Sequence, residues 1–312
     1  MRAHFGDVTQ TARLMALKRF MYPYIVIGSW HLGTFGLLVW LAGVAAGVVL
    51  HKTFLREGVD ADAMNVVVFV LLAGVLGSKL WHELQSPLEL ARAMHFIFAP
   101  GTSHLGEVAS RFLEFMRSGF AWFGGLLVGI FMLLWQGSKV RPNGLTGLRA
   151  GIRMLDLAAP AAAVGYGVGR IGCLTSGDGD YGRNTTSWIG VHMRPDALVV
   201  PSPPDALVLP TPLWEFAIAL MIAFILWRLG RKARPLAWMT GMYLFLSGIA
   251  RFCVEFYRVN PKLYFGHHFS NAQVAAFASS IVGFAIVVAV RNQAPIAASR
   301  VALQAAAATS RA

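Results

Sequence analysis

The sequence predicts an all-α membrane protein, a bundle of seven transmembrane helices with a small extracytoplasmic cap. Three observations carry that expectation. Hydrophobic residues fill 56% of the 312 positions and charged residues only 13%, a balance that belongs to polytopic membrane proteins. The apolar residues gather into seven runs, each close to the roughly 20 residues that a bilayer crossing requires. Between the runs, lysine and arginine cluster in short loops, as they do on the cytoplasmic side of a membrane.

Residues 1–21 carry Arg2, Arg13, Lys18 and Arg19 and are expected to lie on the membrane surface as an amphipathic segment. The first run is expected to be a retained helix and not a cleaved signal peptide, because the short apolar core and small-residue cleavage site of such a peptide are missing. Residues 22–292 make up the membrane domain. Its first run, Tyr24 to Leu50, is studded with Gly28, Gly33, Gly36, Gly43 and Gly47, which permit close helix packing. The second, Met64 to Trp81, ends in Gly77-Ser78-Lys79-Leu80, where Lys79 can snorkel to the interface.

From residue 82 to 117 the chain mixes charges with apolar pieces too short to cross, which predicts an interfacial, extracytoplasmic segment. The third run, Gly119 to Trp135, leads into the basic loop of Lys139, Arg141, Arg149 and Arg153. The fourth, Met154 to Cys173, contains Asp156 and Pro160 and ends in Gly165, Gly167, Gly169 and Arg170. Residues 174–211 are Pro-rich and polar, with one alternating piece from Ser187 to Met193, and form the predicted cap. The fifth run, Pro212 to Trp227, stops at Arg228, Arg231, Lys232 and Arg234. The sixth, Leu236 to Phe256, holds Arg251 and Glu255, with Arg258 just beyond; the seventh, Gln273 to Val290, is followed by Arg291 and, over 293–312, an Ala-rich mobile cytoplasmic tail. The two basic loops and the last flank put the C-terminus inside and the N-terminus outside, against the pull of the basic N-terminal segment.

The net charge of +12 is explained by this loop pattern and does not form the continuous basic face of a nucleic-acid binder. Cys173 and Cys253 lie in or beside apolar runs without CxxC spacing or paired histidines, so neither a disulfide framework nor a metal site is expected, and no cofactor is implied. Cys173 reads as a small buried hydrophobe unless its surroundings favour the thiolate.

The stretch Gly169 to Gly182 demands a chemical explanation. A guanidinium at the end of a lipid-spanning helix is costly without a partner or an anionic ligand. Glycines such as Gly172 and Gly182 bare backbone N–H groups and let the chain turn where irregular backbone lines a cavity. Arg251, Glu255 and Arg258, spaced by four and three residues, stack on one helical face. With Arg170 on another helix, two arginines against one glutamate leave a positive excess, and arginine grips phosphate with a bidentate fork. These features point to a lipid-phosphate site near the outer face.

The same residues resemble the prolipoprotein diacylglyceryl transferases of the bacterial plasma (inner) membrane. The resemblance rests on Gly169-Arg170-Ile171-Gly172 with the turn ending at Gly182, on Gly77-Ser78-Lys79-Leu80, on Phe123-Gly124-Gly125-Leu126, on Pro210 to Glu215, on the block Arg251 to Arg258, and on Gln273. The motifs occur in the family's order and cover nearly the whole membrane portion. Membership would imply transfer of the diacylglyceryl group of phosphatidylglycerol to the lipobox cysteine of a preprolipoprotein, with release of glycerol phosphate. Arg170, with Gly172, Gly182 and Arg258, would then bind the phospholipid, Arg251 would neutralise the leaving group, and Glu255 would position that guanidinium. Asp178, Asp180 and Tyr181 are the candidates for thiol deprotonation. The chain departs from the family where Cys173 replaces an asparagine, Phe123 a histidine and Phe35 a tyrosine, and its Gly177–Gly182 turn is one residue longer. Two other readings are a divergent paralogue with another acceptor or with lipid binding alone, and a transporter of anionic solutes lined by Arg170 and Arg251.

Overall fold

The computed structural model describes residues 23–28, 30–98, 105–115, 121–195 and 197–298. The surface segment expected over 1–21 and most of the expected tail lie outside them. The described chain is mostly helical, and six of its helices are long and apolar enough to cross a membrane. It divides into two compact units, residues 61–155 and the remainder.

The larger unit opens with a two-stranded hairpin, β1 (Tyr24–Ile27) and β2 (Trp30–Gly33), followed by α1 (Thr34–Glu57). The first crossing was expected to begin at Tyr24, and the structure corrects that. Gly28 turns the chain at φ 61, and the β-branched and aromatic run Tyr24 to Ile27 pairs across to Trp30–Gly33 instead of starting a helix. The helix then continues past the expected end, to Gly58 in the left-handed conformation.

In the smaller unit, α2 (Ala63–Gln85) is capped by Asp62, whose carboxylate accepts from the backbone N–H of Met64 at 2.8 Å and of Asn65 at 3.2 Å. Two short helices, α3 (Pro87–Ile97) and α4 (Leu105–Phe115), occupy the segment that the sequence left without a crossing. The buried pair Lys79–Glu83, 2.8 Å apart, replaces the expected snorkelling, and Lys79 also donates to the Phe115 carbonyl at 2.7 Å. Helix α5 (Trp122–Val140) lies against α2 so closely that a Cβ on Gly124 would sit 2.3 Å from the Gly77 carbonyl oxygen.

Helix α6 (Gly147–Ser176) starts in the smaller unit and its greater part belongs to the larger one. It runs three residues past the expected end at Cys173, so Arg170 lies inside the helix. Among the described residues of 177–210 lie the short strands β3 (Val191–His192) and β4 (Leu207–Val208), whose pairing gathers Tyr181, Val191, Met193 and Val208 into a small apolar core. Helices α7 (Thr211–Leu229) and α8 (Trp238–Glu255) follow, then the hairpin β5 (Lys262–Tyr264) and β6 (Phe269–Ser270), and last α9 (Asn271–Val290). Ser270 and Gln273 form a capping box at the start of α9. Ala159 and Ala163 of α6, Ile222, Ala223 and Leu226 of α7, and Met239 of α8 form a buried core.

Seven crossings were expected; α8 is not among the six helices apolar enough by composition, since Arg251 and Glu255 fall in its last turns. The start of α8 is fixed from α6. Asp156 is buried and accepts from the N–H groups of Ala237 at 2.7 Å and Thr240 at 2.8 Å and from the Thr240 hydroxyl at 2.7 Å. A carboxylate here caps the helix and meets its positive dipole end. Asp156→Ala leaves those part-buried donors without their acceptor, and is expected to cost about 2–4 kcal/mol, read as a lower melting temperature in detergent.

Candidate active site

The site is assembled from three helices and one glycine-rich loop of the larger unit. Glu215 stands in the second turn of α7, Tyr166 and Arg170 lie one turn apart on α6, and Arg251 and Glu255 one turn apart on α8, with Arg258 just past its end. Glu215 is buried and acts as the hub. It receives Arg170 Nη2 at 2.6 Å, Arg251 Nη1 at 2.6 Å and Arg258 Nη1 at 3.4 Å, and the Tyr166 hydroxyl donates to it at 2.8 Å. Glu255 takes Arg251 Nη2 at 3.1 Å and Arg258 Nε at 3.5 Å. Its other oxygen accepts from Asn260 at 2.5 Å and Ser270 at 2.8 Å, which holds the carboxylate toward the arginines.

Asp180 completes the cluster from the loop. It receives Arg170 Nη1 at 2.5 Å and also pairs with Arg258 Nη2. Gly177 at φ 64 and Gly179 at φ 89 supply the left-handed turns that bring this loop back over the end of α6. The Thr211 hydroxyl donates to the Asp180 carbonyl at 2.8 Å, and the Gly182 N–H donates to the Leu209 carbonyl at 2.8 Å. Three guanidinium groups thus face three carboxylates. The positive excess expected of Arg251, Arg258 and Glu255, together with the Arg170 charge, is cancelled by Glu215 and Asp180.

Burial pushes the Asp180 carboxyl up, but the Arg170 and then the Arg258 charge outweigh it and hold the group at about 2. The folded carboxyl is the stronger acid, so this pairing stabilises the protein fully above the ordinary carboxylate range and is lost as pH falls through about 2. Asp178 behaves oppositely: burial and the neighbouring Asp180 charge raise it, although it hydrogen-bonds the Cys173 thiol. Cys173 Sγ and the carboxylates of Asp178 and Asp180 lie within 4.8 Å of one another, but Arg170 Nη1 stands 3.3 Å from that sulfur and opposes a cation there.

The expected site residues therefore separate. Arg170, Asp180, Arg251, Glu255 and Arg258 meet in one network, with Asp178 at its edge beside Cys173. Tyr181 instead packs among Val191, Met193 and Val208, and burial raises its phenol. The two glycines serve close approach: a Cβ on Gly172 would lie 3.3 Å from the Phe35 ring, and one on Gly182 only 2.6 Å from the Tyr257 carbonyl oxygen. Gly182 also forms a backbone bridge to Arg258, tying the loop to the end of α8. Sequence reasoning left Glu215 and Tyr166 without a role. The signal for Glu215 was its place in an apolar helix, where a carboxylate needs cationic partners as much as arginine needs anionic ones.

The model of one protein family, described as prolipoprotein diacylglyceryl transferase, matches residues 23–289. The chain belongs to the prolipoprotein diacylglyceryl transferase family. Phosphatidylglycerol–prolipoprotein diacylglyceryl transferase 2 of Clostridium perfringens is 27% identical over 231 residues, 73% of this chain and 80% of that protein. The phosphatidylglycerol–prolipoprotein diacylglyceryl transferase of Pseudomonas aeruginosa is 27% identical over 252 residues, 76% and 82%. That of Methylibium petroleiphilum is 29% identical over 239 residues, 74% and 77%. The match covers α1 to α8 and all of α9 but its last residue, and so contains all of the ion-pair network.

Proposed function

We propose that this transferase moves the diacylglyceryl group of phosphatidylglycerol to the lipobox cysteine thiol of a preprolipoprotein and releases glycerol phosphate. The observation that carries the reading is the convergence of Arg170, Arg251 and Arg258 on Glu215 in a member of this family. A displacement at the glyceryl carbon needs a thiolate and a place for the negative charge that develops on the departing phosphate. Asp178, whose carboxyl is raised by burial and by the neighbouring Asp180 charge, is suited to take the thiol proton; it already accepts a hydrogen bond from one thiol, that of Cys173. The sulfur then forms its bond to carbon as the carbon–oxygen bond to phosphate breaks. Arg170 and Arg258 hold the phosphate, and Arg251, oriented by Glu255, neutralises the leaving oxygen.

In this reading α8 is a seventh crossing whose charged end is neutralised within the network. The membrane domain spans 22–292 of a multi-pass protein of the bacterial inner membrane, with 1–21 on its surface, 293–312 a cytoplasmic tail, and the N-terminus outside. The segments 82–117 and 174–211 are extracytoplasmic, the latter a cap that brings Asp178, Asp180 and Gly182 to the outer rim. Gly172 lets α1 and α6 pack closely beneath the donor site.

Purified protein given labelled phosphatidylglycerol and a lipobox peptide is expected to yield a thioether-linked diacylglyceryl peptide and glycerol phosphate. Intact lipid binding without thioether product overturns the assignment. That outcome would favour a family member with another acceptor, a reading supported by Cys173 and Phe123 at positions where the family has asparagine and histidine.

A further inference from the structure

We propose that the Asp180 carboxylate stands in for the donor's phosphate, bridging Arg170 and Arg258 until a phosphate ester displaces it. This inference rests on the phospholipid-transferase reading of the same site.

Charge is the first argument. With Asp180 seated, three guanidinium groups meet three carboxylates. A phosphodiester added on top would put four anions against three cations in a largely buried cluster, where an unbalanced charge is costly. One-for-one exchange with a carboxylate keeps the balance.

Geometry names which carboxylate leaves. The Asp180 side chain is 30% exposed, against 3% for Glu215 and 1% for Glu255. Glu215 is held additionally by Tyr166, and Glu255 by Asn260 and Ser270. The Asp180 carboxylate has only the two guanidinium groups as partners among the described residues. It is also the one acid of the three that sits on a loop and not in a helix. Its carbonyl stays fixed by Thr211, so release requires rotation of the side chain and leaves the backbone in place.

The vacated position suits phosphate better than carboxylate. Arg170 and Arg258 already direct one N–H each at the two Asp180 oxygens, the fork that two phosphate oxygens accept. Arg170 Nε is a buried donor without a partner among the described residues, and a phosphate offers acceptors beyond the two of a carboxylate. Run in reverse, the exchange expels glycerol phosphate after transfer, because Asp180 competes for the same two arginines.

The test is binding of glycerol phosphate and of phosphatidylglycerol to the full-length protein in detergent, with wild type beside Asp180→Asn. The asparagine keeps the shape and removes the competing charge. It is expected to bind glycerol phosphate about tenfold more tightly, with stronger product inhibition and slower turnover. Thr211→Val, which frees the Asp180 carbonyl and changes no charge, should shift affinity in the same direction by less, and serves if the asparagine variant does not fold. Unchanged or weaker affinity in the folded variant overturns the stand-in, whether or not the wild type is an active transferase. If the wild type consumes no phosphatidylglycerol but Asp180→Asn still tightens on glycerol phosphate, the exchange stands and the proposed donor falls.

Discussion

Arg170→Gln should lower diacylglyceryl transfer by about 10²–10³-fold while the protein remains folded. The fold survives because the rest of the network does: Glu215 keeps Arg251, Arg258 and Tyr166, and Asp180 keeps Arg258. What disappears is one prong of the fork offered to the donor phosphate, together with the charge that keeps that phosphate in line with the attacked carbon. A lysine at 170 restores charge without the planar fork and should recover only part of the loss. The measurement is initial rate with labelled phosphatidylglycerol and lipobox peptide, with melting temperature as the control. Wild-type turnover in Arg170→Gln would remove this residue from the donor site.

Glu215→Ala is expected to have the largest effect on stability, about 3–5 kcal/mol, because it strands guanidinium groups in a buried place. Arg258 and Glu215 are both almost fully covered, with side chains 4% and 3% exposed, so water cannot replace the lost carboxylate easily. Glu215→Gln keeps the shape and an acceptor oxygen, and should lie between alanine and wild type. Thermal unfolding in detergent, followed by near-ultraviolet circular dichroism, separates the three. Equal melting temperatures for Glu215→Ala and wild type would mean that the three arginines find adequate partners without the hub.

The helical membrane architecture was legible because bilayer crossing imposes a long apolar run, which composition alone reveals. Arg170, Arg251, Glu255 and Arg258 stood out for the same reason, as charges in apolar company. Glu215 did not, although it obeys the same rule, because one carboxylate inside Pro-Leu-Trp-Glu offers no periodic partner on its own helix. Its partners come from α6 and α8, and such meetings between distant elements are set by packing. The β1–β2 hairpin was hidden for a different reason: Tyr24 to Ile27 is apolar enough for a crossing, and only Gly28 hints that the chain reverses. Tyr181 shows the opposite failure. Adjacency to Asp180 suggested a shared role, yet the extended loop sends neighbouring side chains to opposite sides, one to the arginines and one to the small apolar core of Val191, Met193 and Val208.

Asp156 grips the first turn of α8 at Thr240, and Glu215 grips Arg251 eleven residues further along the same helix. An α-helix advances about 1.5 Å and turns about 100° per residue. Adding or deleting one residue between those two points would therefore swing Arg251 by more than a quarter of a circle, or tear Thr240 from Asp156. Length variation can be absorbed in the connecting segments of this protein, whereas the stretch from Thr240 to Arg251 works as a ruler.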